Sequence, residues 1–506
     1  MPDSARLLAE IDALIAKVSA DARRRSDGWG ACAAQSGFQP SADNLAAYLA
    51  LRQQDLRDMQ RALMALGLSS LGRLESRVMP TLAAVRTALA AIAGQAPDAV
   101  TKAEDFFAGE QRLAARASQL FGAPTSSRPV ALLVTCPSTA ADDGAFMHGL
   151  AARKVEAIRI NCAHDGAEQW AGMIAHARAA EDACGHRCRV FMDLAGPKIR
   201  TGKVQANHHV KRLFPGDRIA MVAPGDLDRK VPANVAFTFE CTLAEIIPAV
   251  CAGQRLLIDD GKISAMIEVA AKGVVIATVT RCKEGGAKLK PERGINLPDT
   301  ELEIPALTAK DREDLAFVAA HADGIEFSFV QSPADVLLLQ EALAEIRPAD
   351  WREIALILKI ETAEAVHNLP DIIVAVGRCQ PVAIMIARGD LAIEIGFSRM
   401  AEMQEEILWI AEAAQVPVIW ATQVLEHMVK EGMPNRGELT DAAMAARAEC
   451  VMLNKGPYLF EAIDALELLL ARMGDHMHKK TPQLRQLTSW PANQLISEQI
   501  APYDPA

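Results

Sequence analysis

The chain has 506 residues, half of them hydrophobic and 23% charged, with a formal net charge of −11. Such a chain is globular with a substantial core, and its acidic balance argues against nucleic acid or an anionic membrane surface as partner. No apolar run reaches the ~20 residues that span a bilayer. The polar start is unlike a secretory signal, and ten scattered cysteines predict reduced thiols in a cytoplasmic protein.

Residues 1–125 read as helical. Leu7, Leu8, Ile11, Leu14, Ile15 and Val18 recur at helical spacing behind a cap at Asp3 or Ser4. The period continues through Leu45–Leu66, Leu82–Ile92 and Phe106–Leu120, and Pro80 is expected to break or kink the third segment. No ionisable constellation stands out here. A docking or oligomerisation region is expected, with the protein a homo-oligomer. The stretch Gly122–Pro129 reads as a linker.

Beyond it, short apolar runs alternate with helical stretches: Val130–Thr135, Val155–Asn161, Arg189–Leu194, Gly324–Phe329, Ile354–Ile360, Val382–Ala387, Val416–Ala421 and Glu449–Leu453. Eight such runs predict an α/β protein built on a (β/α)8 TIM barrel, with its site at the C-terminal ends of the strands. Those ends supply Arg159, Asn161, Asp193, Ser328, Lys359, Glu361, Asp390, Thr422 and Asn454. Cys184 and Cys188 match no zinc spacing and are expected in a loop, with His208 and His209 on the surface.

About 130 residues separate the third and fourth runs, far beyond a normal βα loop. Strand texture at Arg218–Val222, Ile263–Val269 and Val274–Thr280, with a hairpin turn at Asp259–Lys262, predicts a small β-barrel lid over the mouth. The expected domains are 1–125 (helical), 126–202 with 298–475 (barrel), 203–297 (lid) and 476–506 (tail). Thr308 and Asp311 should cap the helix where the chain re-enters the barrel. The basic patch His476–Lys480 is expected to be a solvated helix end.

The stretch Ile354–Gly396 carries the chemistry. Its first run ends in Lys359-Ile360-Glu361 and its second in Arg388-Gly389-Asp390. Residues two apart on a strand share a face, so Lys359 and Glu361 point the same way. Parallel neighbours then bring an ammonium, a guanidinium and two carboxylates to one edge. That set suits a Mg²⁺-assisted reaction on a phosphorylated, carboxylated substrate.

With these motifs the chain resembles the pyruvate kinase family. The segments that carry the resemblance are Arg159–His164, Asp193–Gly202, Asp259–Gly261, Gly294–Pro298, Lys359–Glu361, Ala387–Leu391, Pro417–Gln423 and Asn435–Asp441, in order between about Val130 and Met473. The resemblance implies phosphoryl transfer from phosphoenolpyruvate to ADP, giving pyruvate and ATP, in a cytoplasmic enzyme. It implies Mg²⁺ or Mn²⁺ on Glu361 and Asp390, and Lys359 beside the phosphoryl group in flight. Arg159 and Arg200 would contact the phosphate and nucleotide, Gly389 and Asp390 the substrate, and Thr422 the enolate carbon. His164, Asn161, Arg293 and Asp260 would face the nucleotide or its metal.

The departures are as informative. Asn161 and Asp193 of the family's K⁺ site remain, but Ala163 and Leu194 replace its hydroxyl-bearing residues, and Lys198 stands where K⁺-dependent members have Glu. The Lys198 ammonium is expected to substitute for K⁺. Asn454 replaces a serine of the proton-delivery network, and Gln331 an arginine. The chain stops after the eighth helix, so the usual C-terminal regulatory domain is expected to be missing. Rival readings are a Mg²⁺-dependent lyase or aldolase on pyruvate-type acids, and a non-catalytic metabolite-binding homologue. The lid, with Asp260, favours the kinase.

Overall fold

The computed structural model describes residues 4–30, 37–96, 101–123, 128–207, 210–271, 273–302 and 304–482. Asp3, His208, His209, the middle of the linker and the tail beyond 482 lie outside the described residues.

Eight parallel strands close a barrel in chain order. They are β1 (Ala131–Thr135), β2 (Ala157–Asn161) and β3 (Arg189–Asp193), then, after the insert, β11 (Gly324–Phe327), β12 (Ala355–Ile360), β13 (Val382–Ala387), β14 (Val418–Ala421) and β15 (Cys450–Leu453). The insert supplies β4 (Thr201–Ala206), β5 (Arg218–Val222), β6 (Val235–Cys241), β7 (Arg255–Ile258), β8 (Ile263–Ala271), β9 (Val274–Cys282) and β10 (Ile295–Asn296). These form one mixed sheet of order β10-β7-β8-β9-β5-β6-β4 around a separate core. Four of its strands (β4, β6, β7 and β10) have no counterpart in the sequence reading. β7 and β10 are only four and two residues long, β6 is buried along its whole length, and β4 is mostly polar and largely unburied, so no apolar alternation marks them.

The two-residue strand period explains the barrel interior. Leu356, Leu358 and Ile360 of β12 face the surrounding helices, whereas Ala355 and Ile357 face inward. Ile357 shares its inner core with Leu133, Ala157, Phe191, Ala383, Met385, Ile419 and Cys450. Two residues further along, the inward positions become Thr135, Arg159, Asp193, Glu326 and Lys359. The lower layers are an apolar plug and the top layer is charged.

The N-terminal region forms α1 (Ser4–Gly28), α2 (Gln39–Leu51), α3 (Arg57–Ala65), α4 (Val78–Ile92) and α5 (Ala103–Phe121). Two expectations change here. The Leu45–Leu66 period is split at residues 52–56 into α2 and α3. Pro80 does not break its helix, because it sits in the first turn of α4, where backbone N–H groups lack intrahelical acceptors. The helices merge with the barrel's outer core rather than standing apart. Leu120 and Phe121 at the end of α5 enter the barrel's inner core, with the Phe121 ring 6.0 Å from Phe191. The bottom of the barrel is thus stoppered from the N-terminal side.

The expected solvated basic end is also corrected. After helix Leu459–Gly474 the chain turns through a two-strand pairing of Met477–His478 with Thr481–Pro482. Lys479 pairs with Glu449 and Lys480 with Glu75, both lysines being more than three-quarters buried. Glu75 lies in the region that showed no ionisable constellation in sequence. Its partner is 405 residues away, beyond any local pattern.

Candidate active site

Lys359 closes the inner face of β12. Its ammonium donates to Ser328 Oγ (2.7 Å) and lies 3.1 Å from Asp193 Oδ1 and 3.2 Å from Glu361 Oε1. Burial alone would lower its pKa, but Asp193 and then Glu361 outweigh burial and raise it. Lys359 is therefore a permanent, immobile charge. Glu361 also accepts from Phe329 N at 2.7 Å. Burial raises its pKa, Lys359 opposes, and nearby Asp390 raises it again, for a net rise.

Arg159 lies below. Its Nε donates to Asp193 Oδ2 and to Glu326 Oε2, each at 3.0 Å, and its Nη1 to Thr135 Oγ1 at 3.1 Å. Burial works against the charge on Asp193, yet Arg159 and Lys359 prevail and hold its carboxyl below the usual range. Glu326 is fully buried, and among the described residues its Oε1 has no hydrogen-bond partner. Burial and then Asp193 push its pKa up to about 7. The sequence reading missed Glu326. Its signal was an acid at the inward position of an apolar strand, two residues before Ser328.

Asp390 lies in the first turn of the helix Arg388–Ile395, which starts immediately after β13. Both its oxygens accept from Lys198 Nζ, at 2.7 and 3.0 Å. Lys198 therefore sits on the Asp390 carboxylate, while Asp193 is held by Arg159 and Lys359. Thr422 takes a left-handed backbone (φ 63°) just past β14, and its Oγ1 accepts from Gly389 N at 3.0 Å. Arg388 does not join the cations of the mouth. It runs sideways to Asp441 Oδ2 (2.8 Å) and to the carbonyls of Ala421 (3.0 Å) and Thr422 (2.7 Å), over the Trp420 ring. The second cation of the edge is Lys198. Sequence spacing could not see this, because Lys198 and Asp390 are 192 residues apart.

The lid lies on this mouth. A Cβ on Gly294 would be 3.5 Å from Lys198 Cε, and one on Gly261 would be 3.7 Å from Ile393 Cδ1. Asn296 Nδ2 donates to Glu394 Oε1 at 3.2 Å. The remaining expected residues, Asn454 excepted, stand apart from the buried network. Asn161 Oδ1 accepts from Ala163 N in its own loop, and His164 is exposed. Arg200 reaches the carbonyl of Glu292, Arg293 is 3.6 Å from Asp259, and Asp260 is exposed on its hairpin. Asn454 Oδ1 lies 3.5 Å from Thr135 Oγ1.

Among the described residues no group of three or more His, Cys, Asp or Glu is placed to hold a metal. Glu361 and Asp390 nevertheless fit a Mg²⁺ ion, which commonly takes one or two carboxylates and completes its shell with water and substrate oxygens. Among the same residues, no helix is long and apolar enough to cross a membrane.

A closed parallel barrel with buried, paired charges at its C-terminal end, under a β lid, defines a (β/α)8-barrel enzyme. Residues 130–463 match the family model for the barrel domain of pyruvate kinase. The chain is 31% identical over 356 residues to a pyruvate kinase of Mycobacterium tuberculosis, covering 68% of this chain and 70% of that one. It is 32% identical over 359 residues to that of Mycobacterium intracellulare, with the same coverage. Against that of Aeropyrum pernix it is 30% identical over 343 residues, covering 67% and 69%. The chain belongs to the pyruvate kinase family.

Proposed function

We propose that the chain transfers the phosphoryl group of phosphoenolpyruvate to ADP, giving pyruvate and ATP, with Mg²⁺ or Mn²⁺ and without added K⁺. The observation that carries this reading is the row Lys359–Glu361–Asp390–Lys198, in which two neighbouring carboxylates on adjacent staves are flanked by two ammonium groups.

Glu361 and Asp390 would hold the divalent ion, which when bound supplies positive charge to the phosphate and the enolate oxygen. Lys359 meets the charge on the phosphoryl group as it leaves the enol oxygen for the terminal phosphate oxygen of ADP. Since this chemistry is mostly positioning and electrostatics, an ammonium fixed by Asp193 and Ser328 needs no reorganisation during the step. Arg159 would have to exchange one of its carboxylate partners to touch phosphate. Thr422 accepts from Gly389 N and so keeps its hydroxyl hydrogen. That hydrogen can go to the enolate carbon while a proton from solvent replaces it on the hydroxyl oxygen, completing pyruvate. Arg200, His164, Asn161, Arg293 and Asp260 ring the nucleotide side, on the rim and the lid.

Independence from K⁺ is supported by the Lys198 ammonium on Asp390 and by Ala163 and Leu194, which offer no hydroxyl ligands. A coupled assay with phosphoenolpyruvate, ADP and Mg²⁺ tests the reading. ADP-dependent pyruvate formation is expected, and a Lys359→Met enzyme should lose most of its rate yet still bind Mn²⁺. Absence of turnover with ADP would turn the assignment to a lyase or to a non-catalytic binding protein.

A further inference from the structure

The bottom of the barrel carries a cavity of about 210 Å³, at the end away from the charged mouth. Parts of the chain distant in sequence wall it: α5, residues 446–449 leading into β15, and residues 477–479. Leu113, Ala117, Phe121, Val130, Ala448 and Met477 give it an apolar lining, and the exposed His478 stands at its rim. Ala131, at the start of β1, is in the wall, whereas Thr135 at the end of the same strand touches Arg159. Such a strand length, about 13 Å, separates the cavity from the catalytic charges.

Most of the charge around this cavity is already neutralised. Glu156 pairs with Arg128 at 2.8 Å, Arg447 with Glu405 at 2.6 Å, Glu110 with Arg77, and Glu449 with Lys479. Lys480, close by, is committed to Glu75. Glu412, near the end of helix Phe397–Ala413, is the exception. It lines the cavity, yet among the described residues its carboxyl group has neither a hydrogen bond nor an ion pair. Burial raises its pKa to about 7, with Lys479 opposing the rise and Glu75 and Glu449 reinforcing it. Above neutral pH the wall therefore holds a carboxylate without a partner, which is unfavourable unless a cation meets it. His478 cannot be that cation, because burial and then Lys479 lower its pKa and keep it neutral there.

We propose that this cavity binds a small organic ammonium, its charged head on Glu412 and its apolar body against α5 and Phe121. The size agrees. An apolar cavity of ~150 Å³ takes up benzene, so 210 Å³ leaves room for one ring and a short aminoalkyl arm. It falls below the ~300 Å³ at which sites for larger ligands begin. An occupant joins α5 to the C-terminal turn, so it stabilises the folded chain without touching the reacting groups.

The experiment is calorimetric titration of the full chain at pH ~8 with 2-phenylethylamine, beside its neutral and anionic counterparts 2-phenylethanol and phenylacetate. Saturable one-to-one binding of the amine is expected, at least tenfold tighter than that of the alcohol, with no binding of phenylacetate. Glu412→Gln, of unchanged circular dichroism, should weaken the amine at least tenfold. Ala117→Leu, which fills the cavity from α5 and keeps the carboxylate, should weaken it as well. Three results would each overturn the proposal. They are no saturable binding of the amine, equal affinity for amine and alcohol, or amine binding untouched by Glu412→Gln.

Discussion

Lys198→Met removes the ammonium from Asp390 and leaves the rest of the barrel rim intact. The two charges are 2.7–3.0 Å apart, with side chains 27% and 19% exposed. At an effective permittivity of ~20, unit charges ~3 Å apart attract by about 5 kcal/mol. Hydration of the freed carboxylate offsets part of this and leaves about 2–3 kcal/mol, or a ~30–150-fold fall in kcat/KM. The assay is steady-state turnover in buffers free of Na⁺ and K⁺, repeated with KCl. The wild type should run at full rate without KCl. The variant should fall by the stated factor and recover little with KCl, because Ala163 and Leu194 supply no hydroxyl ligands. Strong activation of the wild type by KCl, or a variant unimpaired in its absence, would refute the assignment of Lys198 as the built-in monovalent cation.

Three further outcomes follow from the packing and charge described above. Phe121→Ala opens the stopper beneath the barrel at a residue 3% exposed, and should cost about 3–5 kcal/mol in urea unfolding; a cost under ~1 kcal/mol would mean that α5 is not part of the core. Glu412 lines a cavity beside Phe121, Glu449 and Lys479, and its pKa is raised to about 7, chiefly by burial, with Glu75 and Glu449 adding to the rise and Lys479 and Lys480 opposing it. The folded state then binds more protons than the unfolded one between pH ~4.5 and ~7, so stability falls as pH rises through that window, by up to ~3 kcal/mol. Glu412→Gln should flatten that fall in denaturant titrations, and an unchanged slope would refute the cause. Arg388→Met releases Asp441 and the carbonyls of Ala421 and Thr422. It should lower kcat ~10–100-fold by loosening Thr422, with Mn²⁺ affinity unchanged; a loss confined to metal binding would contradict a positioning role.

The eight barrel strands were legible because each is a short apolar run between helical periods, and parallel strands buried on both faces leave that signature. Lys359, Glu361 and Asp390 were legible too, since the strand period and the C-terminal rule place them together from local sequence alone. What only the tertiary structure decided is which charge meets which. Arg388 turns to Asp441 and Lys198 crosses to Asp390, while Glu326 lies beneath Arg159 with one oxygen unpartnered among the described residues. Lys480 reaches Glu75 from the far end of the chain, and Phe121 enters the barrel from below. Local order is written in hydrophobic period, which involves near neighbours. Charge pairing and plugging depend on contacts hundreds of residues apart, and those exist only once the barrel has closed.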